Sequence, residues 1–317
     1  MRKLTRTALT ILTFCCAILP LPKTALPAET NEPTRPTIGL ALGSGGATGL
    51  SHIAMLEVLD EMGLKPQKIA GSSIGAIIGS LYAAGMSGKE IRDLFQTFAG
   101  SNTKVVMKLI QGKSGLALTD LMQIDLENGG LFSSEGFIRF LGEKMGTLTF
   151  ENLPIPLMVV ATDYWSGEEI IFKSGDLLTA LQASMAVPGL FPPEAIDGRL
   201  YIDGGTSNPL PYDHLLQTCD IVIAIDVAGT GNRIPGKEIR ATDVLFDTFK
   251  IMQQSITSAK MKYLQPHIYI RPEIHDVRLL HFNRMETILQ QSQPAAEILR
   301  EKLHQALPEE RGPAENS

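Results

Sequence analysis

The sequence predicts an α/β protein, a mostly parallel sheet covered by helices, and three observations carry that prediction. Two strand, glycine turn, helix units follow one another across residues 37–84, as expected when parallel strands need a crossover to return to the same edge. Later runs, residues 157–162 and 221–225, are almost wholly apolar rather than alternating, the pattern of strands buried on both faces. The chain has 317 residues, 44% hydrophobic and 20% charged. That is enough to build a large core, and it excludes disordered, collagen-like and multi-span membrane classes.

The chain opens with Arg2, Lys3 and Arg6, then an apolar run over residues 8–21 broken by Pro20, Pro22 and Pro27. A basic start, a short apolar stretch and Ala28 at its end predict a signal peptide over residues 1–28 and an exported, periplasmic or secreted, protein. Residues 29–36 read as a polar leader, residues 37–307 as one domain and residues 308–317 as a loose tail. Of three cysteines only Cys219 lies beyond the signal, too few for a disulfide framework or cysteine-rich zinc module. A net charge of −6 argues against nucleic acid as a partner.

Within the domain, residues 37–42 form a first strand ended by Gly43, Gly45, Gly46 and Gly49, and a broad apolar face predicts a helix up to Gly63. Residues 68–71 form a second strand and residues 74–84 a helix rich in glycine, alanine and serine. Helices are expected at residues 90–98 and 135–144, either as a cap over a groove or as a covering layer, with Gly112, Gly115, Gly129 and Gly130 between them. Strands follow at 157–162 and 169–173 and a helix at 177–185. Asp197-Gly198 between apolar pairs predicts a hairpin, because that turn needs positive φ at both central residues. Strand 221–225, a long helix at 244–260, a strand at 267–270 and one or two helices over 284–305 complete the pattern.

Gly71-Ser72-Ser73-Ile74-Gly75 fits the nucleophile elbow, in which a sharp strand-to-helix turn exposes a serine and small neighbours relieve the crowding. The alternative is an ordinary turn capped by Ser72 or Ser73. Residues 43–49 supply backbone N–H donors for an oxyanion. They do not fit a dinucleotide fingerprint, because Thr48 stands where its third glycine should be. For a base, His214, His267, His275, His281 and His304 are candidates, but none sits in a glycine-flanked loop at a strand end. Asp203, at the hairpin exit before Gly204 and Gly205, does. A carboxylate in a dry site can take a serine proton directly.

In order and spacing, four blocks resemble the patatin-like phospholipase family, in its bacterial branch similar to the neuropathy-target-esterase catalytic domain. They are residues 43–53, 71–75, 183–193 and 201–209, and the resemblance runs over residues 36–291. It implies a three-layer α/β/α fold and a Ser73–Asp203 dyad without histidine. It also implies Gly45 and Gly46 as the oxyanion hole, with Gly43, Gly49, Gly71, Gly75, Gly204 and Gly205 as motif positions. Hydrolysis of phospholipid or lysophospholipid acyl esters is expected, with a lipid substrate at a membrane surface and no metal or organic cofactor. Thr48 stands where the family usually carries Arg or Lys, which favours neutral esters or lysolipids. A carboxylesterase or thioesterase, or a weakly active lipid binder, are the alternatives.

Overall fold

Ile-Gly-Leu-Ala-Leu, buried at all five positions, forms the central strand β1 (Ile38–Leu42) of the computed structural model, which describes residues 36–99, 134–228 and 241–307. The signal-peptide and leader readings up to residue 35, glycines 112, 115, 129 and 130, and the tail from residue 308 lie outside the described residues. A short 3-10 turn (Gly46–Leu50) leads into α1 (Ser51–Glu61), then β2 (Lys68–Ser72), α2 (Ile74–Ala83) and α3 (Gly88–Ala99). Next come α4 (Glu135–Met145), β3 (Leu157–Asp163), β4 (Glu169–Phe172), α5 (Leu177–Ser184), β5 (Glu194–Ile196) and β6 (Arg199–Asp203). The chain closes with β7 (Ile221–Ile225), α6 (Ala241–Met261), β8 (Ile268–Ile270) and α7 (Met285–Ala306), the last running unbroken through Pro294.

The strands make one mixed sheet of order β5-β6-β3-β2-β1-β7-β8, with β4 added on β3. From β3 to β8 the pairing is parallel; β4, β5 and β6 are antiparallel additions. Alternate side chains point to opposite faces. Leu40, Leu42, Ile69, Leu157, Val159, Ile223 and Ile225 join one large core with residues from α1, α2, α3, α4, α5 and α7. Ala41, Ala70, Val222 and Ala224 face the other way, onto Leu210, Tyr212, Leu215, Cys219 and, from α6, Met261. The result is three layers. Ile91, Leu94 and Phe95 of α3 and Ile138 and Leu141 of α4 are buried in the main core, so the described parts of residues 86–150 are covering layer. In the β5–β6 turn, Asp197 and Gly198 have φ of 51° and 78°, as the hairpin needs.

The pairing along β3 fixes the site. Strand β4 pairs with residues 159–162 of β3, so it occupies one edge of that strand. Both β2 and β6 therefore pair along its other edge. Strand β2 runs up to Ser72, opposite Val160, and β6 runs the opposite way to Asp203, opposite Ala161. Two strands of opposite direction thus end head to head, and the residues leaving them, Ser73 and Asp203, are neighbours. Gly204 lies in the junction: a Cβ there would stand 2.2 Å from Val160 O and 2.8 Å from Ser72 Oγ. No helix among the described residues is long and apolar enough to cross a membrane.

Candidate active site

Ser73 is the single residue between β2 and α2, and it has φ 56° and ψ −124°. That is a strained conformation for a residue with a Cβ, costing about 1–3 kcal/mol. Its side chain does not cap α2, so the turn is not the ordinary capped one. Instead Ser73 Oγ donates to Asp203 Oδ2 at 2.5 Å, and the Ser73 N–H donates to Ser184 Oγ at 2.9 Å. The Asp203 N–H in turn donates to Ala186 O at 3.0 Å. Segment 183–193, the third block of the sequence resemblance, is thus the clamp that holds both members of the pair.

Asp203 is fully buried, and its Oδ1 accepts the Gly205 N–H at 2.7 Å. Burial pushes its carboxyl up to about 7, against the hydrogen bonds from Ser73 and Gly205 that favour the ionised form. A carboxyl at that level is poised to exchange a proton near neutrality. The N-terminal end of α2 adds positive partial charge beside Ser73.

In the glycine turn three backbone donors are already engaged. The Gly43 N–H bonds Ile225 O at 3.0 Å, the Ser44 N–H bonds Pro209 O at 2.9 Å, and the Ala47 N–H bonds Leu279 O at 2.8 Å. The amides of Gly45 and Gly46, the two positions expected from the resemblance to meet an oxyanion, make none of these turn hydrogen bonds. Gly46 has φ 60°, a conformation that favours glycine. Gly45 lies so close to β7's exit that a Cβ would stand 2.4 Å from Val227 O. The other motif glycines serve close approach: Gly43 against Ile225 O, Gly49 against Ile74, Gly71 against Ala76 and Gly75 against Leu42 O.

Two side chains hold the turn that sequence reasoning left without a role. Thr48, buried, shares its hydroxyl proton between Gly45 O at 2.7 Å and Val227 O at 2.6 Å. Where a cation was expected, the chain has a latch tying the turn to the end of β7. His52, fully buried on α1, bonds Gly43 O through Nε2 at 2.8 Å. Burial lowers its pKa to about 4, against that hydrogen bond, so the ring is neutral at physiological pH and Nε2 carries the donating proton. In the sequence His52 lies within the first block of the resemblance, residues 43–53, but was given no role there. Replacing His52 with Leu is expected to lower kcat about 10-fold, because a buried carbonyl loses its donor, with KM little changed. His52→Gln, which restores a donor, should recover most of the loss. Steady-state kinetics of both variants checks this.

None of the five histidines named from sequence bonds Ser73 or Asp203 among the described residues. His267 Nδ1 accepts the Val222 N–H, His281 Nδ1 accepts the Arg278 N–H, and His304 is on the outside of α7. His275 donates its main-chain N–H to Gln291, and His214 bonds Glu169 Oε1 at 2.8 Å. Among the described residues Glu169, Asp213 and His214 form one group whose donor atoms could meet a metal. Lys260 Nζ, however, bonds Asp213 Oδ1 at 2.5 Å, Asn208 Oδ1 at 2.6 Å and Leu210 O at 2.8 Å. The cation there is the chain's own, and it pins α6 to the segment that follows Asp203.

The family model for patatin-like phospholipase matches residues 40–216, which include Ser73 and Asp203. An uncharacterised NTE family protein of Mycobacterium tuberculosis is 36% identical over 197 residues, covering 62% of this chain and 50% of that protein. Human patatin-like phospholipase domain-containing protein 6 is 34% identical over 194 residues, 60% of this chain and 13% of its own length. Lysophospholipase NTE1 of Kluyveromyces lactis is 26% identical over 276 residues, 80% of this chain and 18% of its own length. The chain thus spans half or less of these relatives. With the matched segment covering more than half of it and the sheet, elbow and Asp-Gly-Gly turn in place, the chain belongs to the patatin-like phospholipase family.

Proposed function

We propose that this protein is a serine acyl hydrolase that uses Ser73 and Asp203 to hydrolyse acyl esters of lysophospholipids or phospholipids. The observation that carries the reading is the 2.5 Å hydrogen bond from Ser73 Oγ to Oδ2 of the fully buried Asp203. Asp203 takes the hydroxyl proton as Ser73 Oγ attacks the ester carbonyl carbon. The resulting oxyanion is met by the amides of Gly45 and Gly46, fixed in advance so that little reorganisation is needed. The acyl–oxygen bond breaks, and the proton on Asp203 passes to the departing alcohol. Water then adds to the acyl-enzyme as Asp203 takes its proton, and Ser73 is regenerated with release of a fatty acid. The base works only when ionised, so kcat/KM should rise with pH through about 7, following the raised Asp203 pKa.

A lipid surface as the source of substrate is supported by α6. Its outer side exposes Val244, Leu245, Ile251 and Met252, while Gln253 on its inner side is buried next to Gly205. An apolar exterior on a helix that backs onto the dyad suits contact with acyl chains. The named relative that is a lysophospholipase and the uncharged Thr48 in the glycine turn both favour a lysolipid over a strongly anionic phospholipid.

A fluorophosphonate probe tests the reading. The wild-type chain is expected to gain one adduct, located at Ser73 by peptide mass, and to release fatty acid from lysophosphatidylcholine in mixed micelles. Intact mass without an adduct, together with no fatty acid release, would leave a lipid binder in place of the enzyme.

A further inference from the structure

Gly205 marks a point where three separate segments bring polar atoms together. A Cβ on Gly205 would lie 2.1 Å from Gln253 Nε2, 2.6 Å from Ser44 Oγ and 2.8 Å from Asp203 Oδ1. Gln253 comes from the inner side of α6, Ser44 from the glycine turn, and Asp203 from the end of β6. Both newcomers are deeply buried, Gln253 at 3% and Ser44 at 2% exposure. Ser44 Oγ has no hydrogen-bond partner among the described residues. Buried hydroxyls and carboxamides are ordinarily paired. An unpaired Ser44 hydroxyl grouped around Gly205 with the Gln253 carboxamide and the Asp203 carboxylate matches the needs of a small hydroxyl, which takes two to four polar partners.

We propose that Ser44 and Gln253 form a hydroxyl-binding subsite on the Oδ1 side of Asp203, used by the alcohol of the ester as it departs and by the water that replaces it. The inference deepens the proposed acyl-hydrolase reading and rests on it. Gln253 Nε2 donates to the oxygen of the bound hydroxyl, Ser44 Oγ exchanges a hydrogen bond with it, and Asp203 handles its proton. In the first half-reaction the proton that Asp203 took from Ser73 goes to the alkoxide freed by acyl–oxygen cleavage. In the second, a water in the same place gives a proton to Asp203 as its oxygen bonds the acyl carbon. Alcohol and water play mirrored parts in the two steps, so one subsite serves both. The missing side chain at Gly205 is what gives Gln253 room to reach it.

The test uses p-nitrophenyl esters, whose leaving group departs without a proton, so acylation bypasses the subsite while deacylation still needs it. For Gln253→Leu in the full chain, the nitrophenolate burst should persist with a rate within about threefold of wild type. The steady-state rate should fall 10- to 100-fold. Partitioning to added glycerol relative to water should change as well, and fluorophosphonate labelling and Tm should stay near wild type. Steady-state turnover within twofold of wild type overturns the subsite. So does a parallel loss of burst, labelling and Tm, which marks Gln253 as structural support. Should Gln253→Leu fail to fold, Ser44→Ala decides by the same kinetics: a selective fall in deacylation supports the subsite, and unchanged or uniformly reduced rates overturn it. Failure of the wild-type chain to label at all would instead sink the Ser73–Asp203 reading.

Discussion

Replacing Asp203 with Asn will cut fatty acid release by about 10³-fold or more and will make the protein more heat-stable at pH 8. The two effects share one cause. The Asp203 carboxyl is pushed to about 7 by burial, from 3.8 when exposed. Between those values the folded state holds a proton that the unfolded chain gives up. Stability from this group is therefore greatest in acid, declines as pH rises from about 4 to about 7, and is flat above. Over the whole window the linkage is on the order of 4 kcal/mol. The carboxamide of Asp203→Asn cannot ionise, so the variant escapes that decline while filling nearly the same space. His52 works in the opposite sense. Its pKa is held near 4 against 6.5, so its contribution is full above about 6.5 and is lost as pH falls towards 4. The wild-type profile blends the two slopes, and the difference between wild type and Asp203→Asn isolates the carboxylate. Tm measured for both at pH 5 and pH 8 should show a gap in favour of the variant that widens with pH. A constant gap, or a variant retaining a tenth of wild-type activity, would remove Asp203 from the role of base.

What could be read from the chain itself was local. The elbow declares itself because a serine between a strand and a helix needs small residues on both sides, and the β5–β6 turn declares itself because Asp-Gly is suited to φ values of 51° and 78°. The buried parallel strands show as uninterrupted apolar runs, since both their faces are covered. The meeting of Ser73 with Asp203 was suggested by the place of Asp203 at a hairpin exit before Gly204 and Gly205, and by the resemblance. No spacing reveals that β2 and β6 end head to head on one edge of β3, because that depends on β4 having taken the other edge. The supporting residues were illegible for the same reason. Ser184 looks like any small helix residue until its hydroxyl is found accepting the Ser73 N–H. His52 sits among Ile53, Met55 and Leu56 on a buried face, and Gln253 is an ordinary polar residue on a long helix. Each acts through a partner far away in sequence, and single-chain patterns carry no information about such partners.

The second large effect is expected at Gly75, where the sheet, the glycine turn and the elbow press against one another. A Cβ there would stand 2.1 Å from Leu42 O, 2.5 Å from Leu42 C and 2.7 Å from Gly43 O. All three are main-chain atoms, and they have little freedom to yield. Leu42 is held between Gly71 of β2 and Ile225 of β7, and Gly43 O is fixed by His52. Gly75→Ala must therefore lift the start of α2 away from β1, at a cost of about 3 kcal/mol or more. That lift carries Ser73 out of line with both Asp203 and the Gly45–Gly46 donors, so molecules that still fold should lose at least 100-fold in kcat. Gly63→Ala is the contrasting case. Gly63 has φ 64° but nothing within 4 Å of an added Cβ, so the substitution brings backbone strain of only about 1–2 kcal/mol and should leave kcat unchanged. Urea denaturation, paired with kcat normalised to folded protein, separates the two. If Gly75→Ala matched Gly63→Ala in both measurements, the close contact of α2 with β1 would not be what sets the reacting geometry.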